Sequence, residues 1–458
     1  MKMNRVKVLE ISFIFTFLFL TTCGGKEVKW GGYAGTMEGY EYCYEEGRDR
    51  EWEEDVLYMA ETFLSVHPLL TDQKVRITEM DISGNESERY SNEMYDAERR
   101  QHFIKQIHSL ILRIDSLSDE EILMECAKIV VTLNDLHSVV YCASEERLPV
   151  LLKPFYEGEG CIFYIEKVPE GYADILSGKL LSINGVPMNE VVERLSYYSS
   201  REYKDWFFSD PWALNAVALL RDASIMEGDK AELLVETEQG EIEYTMDTVT
   251  LDAYANIEWV GGIENSAQQM AYRYADERNY WCDMLKEDVL YIRMVSCMEQ
   301  PEYTFDNFCV EIGHRLRDAE TPLKVVVDFR GNLGGYRIPK LIEQLNRHPH
   351  EQVYVLMNGG TASASVVMAY ALRLLVADTL LVGSPAAQNP NMLAYPLSYH
   401  MPHSGAYFRV SSDYSRMAPD FGTDTLYPDI RIDQTFEDFQ NGVDTVLTYV
   451  LSDKIGGD

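Results

Sequence analysis

The stretch Val353–Val376 constrains the fold of this chain most, because it predicts a buried strand that turns abruptly into a helix. Val353–Met357 is a short apolar run rich in strand-favouring residues, and the Asn-Gly-Gly at 358–360 interrupts it. From Ser363 onwards the apolar residues follow the spacing of a helix face. A serine therefore lies where a strand turns into a helix, a geometry that exposes its hydroxyl beside unpaired backbone N–H groups.

Two interpretations of this serine are open. Serine and threonine are favoured helix N-caps, so Ser363 or Thr361 could simply cap the helix. Alternatively Ser363 is a nucleophile, and the helix N-terminus stabilises the oxyanion that its attack creates. The second interpretation requires a base for the hydroxyl and an oxyanion-binding turn elsewhere in the chain.

The first 23 residues have the pattern of an export signal. Lys2, Arg5 and Lys7 form a basic region, and the apolar run Ile11–Leu20 is too short for a comfortable membrane span. The run ends in LTTCGG, which resembles the lipobox of bacterial lipoproteins, in which the cysteine, here Cys23, is lipidated. The alternative is an ordinary signal peptide cleaved nearby. Both predict a mature protein outside the cytoplasmic membrane, either secreted or held to the membrane only by its N-terminal lipid.

Charge and composition exclude several classes of function. The 458 residues include 75 acidic and 40 basic ones, and the net charge of −35 disfavours nucleic acid and anionic lipid as partners. Hydrophobic residues make up 46% of the chain, which is enough for packed cores. The eight cysteines form no CxxC motif, so we predict neither a zinc site nor a redox motif.

Changes in pattern divide the chain into five segments. A signal peptide (1–23) and a tether (24–48) precede a helical domain (49–145), a β-rich module (146–250) and an α/β core (251–458). Within the core, strands and helices alternate along the sequence, which is typical of an α/β fold.

The helical domain contains three predicted helices and a loop. The first helix begins near Glu51, the second covers 95–116 and the third covers 118–133. Ser118 and the acidic residues after it form a good N-cap for the third helix. The polar stretch Asp81–Ser91 predicts a loop. A strand begins at the end of the domain, in LNDLHSVVY.

The β-rich module contains the segment ILSGKLLSINGVPMNEVVERL, which predicts a strand, an Asn-Gly turn and a helix. This order resembles the PDZ pattern, although no GLGF-type carboxylate loop is present. The alternative is a β-rich spacer without a peptide groove.

A second glycine-rich turn follows the buried strand in LKVVVDFRGNLGGY. Gly331, Gly334 and Gly335 permit backbone conformations that direct N–H groups at a ligand. Phosphate binding is one interpretation, but no Lys-Ser pair follows the glycines, as a P-loop requires. The better interpretation is the wall of an oxyanion hole, in which the N–H of Ala364 acts with that of Gly334 or Gly335.

As a set, DFRGNLGG, NGGTASAS and LVGSP resemble the motifs of the S41 family of tail-specific, or C-terminal-processing, serine peptidases, including their tricorn-core-like branch. The resemblance extends over nearly the whole mature chain. It implies an α+β multidomain protein whose crotonase/ClpP-like spiral core carries a helical N-terminal domain and an inserted PDZ-like module. It also implies hydrolysis of peptide bonds in a peptide or protein substrate, without a metal or an organic cofactor.

The resemblance implies a nucleophile and its base. The nucleophile is the first serine of TASAS, Ser363, and Ser365 ranks well below it because it lies inside the helix. Many members of the family use a lysine in the segment that here reads VGSPAAQNPNM, where Gln388 and Asn389 stand and no lysine is present. The other branch uses a histidine in a DGHT-like motif, which His137 of LNDLHSVVY matches except for Leu136 in place of glycine.

The third member of the set should be a carboxylate that orients the imidazole. The family places it shortly before a Pro-Asp element, here in APDFGTDTLYPDI. We favour Asp420, with Asp424 as the alternative, whereas Asp429 fits a structural turn or cap. Asp135 is a further candidate for the orienting role.

The remaining histidines fit less well. His67 follows a helix in a VHP turn, where it is expected to contribute packing, and His400 and His403 could line the cleft. The sequence thus predicts an extracytoplasmic serine peptidase with a Ser-His-acid arrangement and an acyl-enzyme intermediate. The alternative is a catalytically inactive lipoprotein that binds peptides or other ligands on the same fold.

Overall fold

The structure is a computed structural model that describes residues 47–81, 83–142, 146–157, 160–198, 211–261, 278–418 and 421–452. Within these ranges the chain is a mixed α+β protein with several sheets, as the sequence predicts. The signal peptide with Cys23, nearly all of the tether, and Asp420 lie outside the described residues. No helix in the described ranges is long and apolar enough to cross a membrane.

The helices of the described residues are α1 (Arg48–Val66), α2 (Ala97–Ile111), α3 (Asp119–Val131), α4 (Met188–Leu195), α5 (Val217–Asp222), α6 (Leu251–Ala255), α7 (Phe305–Asp318), α8 (Pro339–Arg347), α9 (Ala364–Leu375), α10 (Phe436–Gln440) and α11 (Thr445–Leu451).

The strands of the first half are β1 (Val75–Met80), β2 (Glu86–Ser91), β3 (Val139–Val140), β4 (Glu146–Arg147), β5 (Leu151–Glu157), β6 (Gly160–Pro169), β7 (Lys179–Ile183), β8 (Val186–Pro187), β9 (Lys230–Thr237) and β10 (Gly240–Asp247). Those of the second half are β11 (Val249–Thr250), β12 (Trp259–Gly261), β13 (Tyr280–Lys286), β14 (Val289–Met294), β15 (Leu323–Asp328), β16 (His350–Met357), β17 (Thr379–Gly383), β18 (Asn391–His400), β19 (Tyr407–Arg416) and β20 (Ile430–Arg431).

A six-stranded sheet in the order β13-β14-β15-β16-β17-β20 forms the centre of the core. All its pairs are parallel except β13 with β14. Helices α7, α8 and α9 cover one face and α11 covers the other, which is why the central strands are nearly continuous apolar runs. Because β15 and β16 are parallel neighbours, the loops that follow them meet at one edge of the sheet. These loops are the glycine-rich turn and the turn before Ser363.

A second sheet joins the two ends of the chain. Its strands have the order β18-β19-β1-β2, and β3 also pairs with β19, where Val140 lies opposite Phe408. Helices α1, α2 and α3 pack on this sheet, and the ring of Phe63 stacks on that of Phe408 at 6.0 Å between centroids. The loop after α3, which carries His137, is therefore attached to a strand from the C-terminal part of the chain.

A seven-stranded sheet forms the β-rich module, in the order β10-β9-β7-β6-β12, with β5 on β6 and β8 on β7. Asn184 and Gly185 have φ angles of 50° and 75° and connect β7 to β8, and α4 follows directly. The predicted strand, Asn-Gly turn and helix are thus present. The apolar core of the module extends to Ala362 and Ala387, which immediately precede Ser363 and Gln388.

Two strands differ from the sequence prediction. The stretch Asp81–Ser91 is not entirely loop, because β2 pairs with β1 along its whole length. β2 is a largely exposed, polar edge strand, so it lacks the alternation that would have revealed it. β18 was not predicted, and it pairs with β19 along most of its length. Each strand is held by pairing with its neighbour along the chain, β2 with β1 and β18 with β19.

Candidate active site

Ser363 directly precedes α9 in an unusual backbone conformation. Its φ and ψ angles are 56° and −126°, a region that non-glycine residues rarely adopt, and its side chain makes no capping hydrogen bond. Thr361, the other predicted cap, instead donates from Oγ1 to the Phe329 carbonyl at 3.1 Å. The capping interpretation is therefore wrong for both residues. A strained serine held by its surroundings is a feature typical of functional sites.

The two loops at this edge of the sheet hold each other in place. The Asn358 side chain accepts hydrogen bonds from the N–H groups of Gly331 and Gly360, at 2.9 and 3.0 Å. The N–H of Ala362 donates to the Asn332 carbonyl at 2.9 Å. These bonds fix the turn after β16 against the glycine-rich turn after β15, so the position of Ser363 is determined by two strands.

His137, from the N-terminal part of the chain, contacts Ser363. Its Nε2 atom lies 2.9 Å from the Ser363 Oγ atom, within hydrogen-bond distance. The loop that carries it is held by the Asp135 carboxylate, which accepts the His137 N–H at 3.0 Å, and by Ser138, whose Oγ accepts the Ser411 N–H at 2.9 Å. The structure thus brings together the two residues that the sequence predicts as nucleophile and base.

The environment of His137 favours the neutral imidazole. Its side chain is only 13% exposed, and burial lowers the pKa of His137 below the ordinary value. The positive charge of Arg409 acts in the same direction, whereas the Asp135 carboxylate and the Leu393 carbonyl oppose it. Nδ1 is buried and makes no hydrogen bond of good geometry within the described ranges. With its proton on Nδ1, the ring presents the Nε2 lone pair to the Ser363 hydroxyl.

The glycine-rich turn lies directly against the serine. A Cβ on Gly334 would come within 2.6 Å of the Ser363 Cβ and 2.9 Å of the Ala364 nitrogen, so only glycine fits at this position. The N–H of Gly334 donates to the Asn332 side chain at 2.8 Å and is therefore not available to an oxyanion. The N–H groups of Gly335 and Ala364 donate no hydrogen bond within the described part of the chain. Of the three predicted oxyanion donors, two remain.

Gln388 makes a contact with the Ser363 backbone that the sequence did not predict. It is fully buried, and its Oε1 accepts the backbone N–H of Ser363 at 2.6 Å. Gln388 stands in the segment where a lysine base was sought, but it binds the serine backbone and not the hydroxyl. Its Nε2 has no hydrogen-bond partner among the described residues. Two features of the sequence could have indicated this contact: the spacing of Gln388 from Ser363, and the presence of an amide side chain in an apolar segment.

A buried ion network supports the glycine-rich turn from behind. Arg330 binds both carboxylate oxygens of Asp444, at 2.8 and 2.7 Å, and also binds Asp328. Burial alone would raise the pKa of Asp328, but the charges of Arg330 and Arg293 outweigh it and lower that pKa. The network ties the turn to the start of α11 on the other face of the sheet.

The predicted acids have different positions. Asp420 lies outside the described residues. Asp424 accepts hydrogen bonds from the Thr425 N–H and the Tyr427 hydroxyl, both at 3.1 Å. Asp429 accepts the Leu381 N–H and pairs with Arg373, both at 2.8 Å, consistent with the structural role expected of it.

The other candidate side chains have structural partners. Ser365 is buried and its Oγ donates to the Asn332 and Ala362 carbonyls, so it points away from His137. His403 pairs with Glu54 at 2.7 Å. In the described ranges, no cluster of three His, Cys, Asp or Glu side chains has the arrangement of a metal site.

Comparisons with known proteins give a result at the level of the fold. No protein-family model matches the sequence, and no curated protein matches it significantly. Solved structures do match, and they define a fold that is found in serine proteases.

Among the solved structures that match are those of CPAF, a serine protease of Chlamydia. A CPAF mutant is 11% identical, with a TM-score of 0.56 over 88% of this chain and 96% of that chain. Mature CPAF complexed with lactacystin is 13% identical, with a TM-score of 0.53 over 88% and 97% of the two chains. Mature CPAF alone is 12% identical, with a TM-score of 0.53 over 88% and 96%.

Proposed function

We propose that this protein is a serine peptidase in which Ser363 is the nucleophile and His137 is the base. The observation that carries the proposal is the 2.9 Å contact between the Ser363 Oγ and the His137 Nε2. A nucleophile within hydrogen-bond reach of a base is the arrangement that activates a serine hydroxyl. The similarity of the fold to that of CPAF, a serine protease, supports the same reaction class.

The reaction proceeds through an acyl-enzyme. His137 Nε2 takes the hydroxyl proton as Ser363 Oγ forms a bond to the substrate carbonyl carbon, and the carbonyl oxygen becomes an oxyanion. The oxyanion collapses, the C–N bond breaks, and the leaving amine receives the proton from His137. Water then attacks the acyl group with His137 again acting as the base, which releases the carboxylic acid and restores the serine.

The N–H groups of Gly335 and Ala364 are the proposed oxyanion donors. Ala364 directly follows Ser363, and Gly335 directly follows Gly334, which contacts Ser363; neither N–H donates a hydrogen bond within the described ranges. The Ala364 N–H is also at the N-terminus of α9, where the helix dipole favours negative charge. One lost oxyanion donor typically reduces kcat by about 10²–10³-fold.

The proposal is tested with a fluorophosphonate probe, which labels activated serine hydroxyls. We expect labelling of the wild-type protein, mapped by peptide mass spectrometry to Ser363 and not to Ser365. Labelling should disappear in Ser363→Ala and fall by about 10²–10⁴-fold in His137→Ala, since that is the usual contribution of a general base. His400→Ala, an exposed histidine on β18, is the control that should label normally. Absence of labelling in folded wild-type protein contradicts the proposal.

The finer assignments rest on sequence motifs. We propose that the chain is an S41-family peptidase of the tail-specific type, with a ClpP-like core and a PDZ-like module, exported as a lipoprotein through Cys23. Export and lipidation are tested by labelling cells with a fatty-acid analogue. The wild-type chain should incorporate the lipid and Cys23→Ala should not, and equal incorporation by both chains contradicts the anchor.

A second candidate function is ligand binding without catalysis on the same fold. The observation that favours it is that the Nδ1 of His137 makes no hydrogen bond to a carboxylate in the described part of the chain, where Asp135 Oδ1 lies 4.0 Å away. Folded protein that binds peptides but neither cleaves them nor reacts with the probe would establish this function instead.

A further inference from the structure

Asp135 and His67 form a fully buried pair next to His137. The His67 Nε2 lies 3.2 Å from the Asp135 Oδ2, and both side chains have zero exposure. The sequence analysis expected His67 to contribute packing, and it does lie near Phe63, at 6.1 Å between ring centroids. Its pairing with Asp135 adds a polar role, because a buried carboxylate needs hydrogen-bond donors.

The hydrogen bonds of His67 show which of its two ring nitrogens carries the proton. The Leu69 N–H donates to His67 Nδ1 at 3.3 Å, so Nδ1 carries a lone pair and the ring proton is on Nε2. Nε2–H therefore donates to Asp135 Oδ2. The other oxygen, Oδ1, accepts the His137 N–H at 3.0 Å. Both oxygens act only as acceptors, which is the pattern of an ionised carboxylate.

The charge of Asp135 lies close to the proposed base. Its Oδ1 is 4.0 Å from the His137 Nδ1, too far for a hydrogen bond but near enough for a strong electrostatic effect. Asp135 forms no ion pair with an arginine or lysine among the described residues. Around His137, the other charged group that faces it is Arg409 on β19, and Ser363 is its neutral partner.

A carboxylate in this position matters most when His137 is charged. During proton transfer from Ser363 the imidazole becomes an imidazolium, and the nearby negative charge stabilises that state. Burial alone would raise the pKa of Asp135, but the hydrogen bonds from His67 and Ser138 oppose this effect, and the pKa is lowered. Asp135 thus stays ionised across the pH range in which His137 titrates.

We propose that Asp135 is the carboxylate that supports His137 in proton transfer, and that His67 is a positioning residue that holds Asp135 in place. The proposal rests on the proposed peptidase function for its catalytic meaning. It assigns the third role to a residue two positions before His137.

The first experiment measures the titration of His137 by NMR, with His137→Gln used to assign its signal. This readout does not require activity. In Asp135→Asn, which keeps an oxygen acceptor for the His137 N–H, we expect the titration midpoint to fall by about one pH unit or more, since a carboxylate this close shifts a pKa by about 1–3 units. In Asp424→Asn, the matched control, the midpoint should not move. The proposal is overturned if the midpoint is unchanged in folded Asp135→Asn. It is also overturned if the midpoint falls by this amount in Asp420→Asn but not in Asp135→Asn.

The second experiment tests the role of His67. It also keeps the proposal testable if the Asp135 variant does not fold. His67→Gln retains an amide donor toward Asp135, whereas His67→Phe keeps the packing and removes the donor. We expect labelling of Ser363 by the fluorophosphonate probe to fall at least about 10-fold in His67→Phe and to recover in His67→Gln. Equal labelling in folded preparations of both variants overturns the role of His67. If wild-type protein shows the NMR coupling but no labelling, the peptidase function fails while the Asp135–His137 coupling stands.

Discussion

The Nε2 of His137 lies 2.9 Å from the Oγ of Ser363, although 226 residues separate them in the sequence. The contact exists because β3, just after His137, pairs with β19 from the C-terminal part of the chain. Ser363 belongs to a different sheet, at the end of β16. The pairing of nucleophile and base therefore depends on how the helical region and the core are joined, and the following predictions test that arrangement.

The first prediction concerns the contact between Gly334 and Ser363. Gly334→Ala should lower the probe-labelling rate by roughly 10²-fold, because its Cβ would displace Ser363 and small misplacements at a reacting centre have effects of this size. Gly405→Ala is the matched control. Gly405 also has a positive φ, 70°, but its Cβ would meet no atom within 4 Å. It should lose only about 1–2 kcal/mol of stability and label normally.

Normal labelling by Gly334→Ala would show that the turn can move away from Ser363 without consequence. Thermal unfolding of both glycine variants, measured in parallel, separates a local displacement from a general loss of folding.

The second prediction concerns Gln388. Gln388→Met has a similar shape but leaves the Ser363 N–H without its acceptor, and it should destabilise the protein by about 1–3 kcal/mol in urea unfolding. Labelling should fall as well, because Ser363 is no longer held in its strained conformation. Gln352→Met, which removes a half-buried amide that bonds the Asp378 carbonyl, is the control that should label normally. Equal labelling by the two variants would contradict a special role for Gln388.

The third prediction concerns pH. The neutral form of His137 is the base, and burial lowers the pKa of His137 below its ordinary value of 6.5. The labelling rate should therefore decline as the pH falls and the imidazole becomes protonated, with a midpoint below 6.5. The measurement is the rate constant of labelling between pH 4 and 8, with His400→Ala as the control that keeps the same midpoint. A midpoint above 6.5 would contradict the prediction.

The fourth prediction concerns the buried ion network behind the glycine-rich turn. Arg330→Met leaves the Asp444 carboxylate buried without its bidentate partner and should cost about 3–5 kcal/mol of unfolding free energy. Arg317→Met removes an arginine from the exposed pair with Asp318 and should leave the free energy of unfolding nearly unchanged. Urea unfolding measures both. Similar losses in the two variants would show that the buried network is not important for the turn.

Much of the local structure could be predicted from the sequence. The run that ends at Met357 forms β16, and α9 follows at Ala364, because both have a clear apolar periodicity. Ser118 caps α3 in a full capping box with Glu121, a pattern of short-range hydrogen bonds. Asn184 and Gly185 form the predicted tight turn because both tolerate positive φ.

The motifs identify which residues can do chemistry, whereas the fold sets which of these residues meet. The motifs singled out Ser363, His137 and the glycines, since nucleophile, base and tight turn each require a particular residue type. The structure decided that the Gly334 N–H is already bonded, that Gln388 holds the serine backbone, and that a buried carboxylate lies beside the base. The contact of His137 with Ser363 joins segments 226 residues apart, and that of Asp135 with His67 joins segments 68 residues apart. Sequence could not reveal these contacts, because no local spacing records which distant side chains will share one buried site.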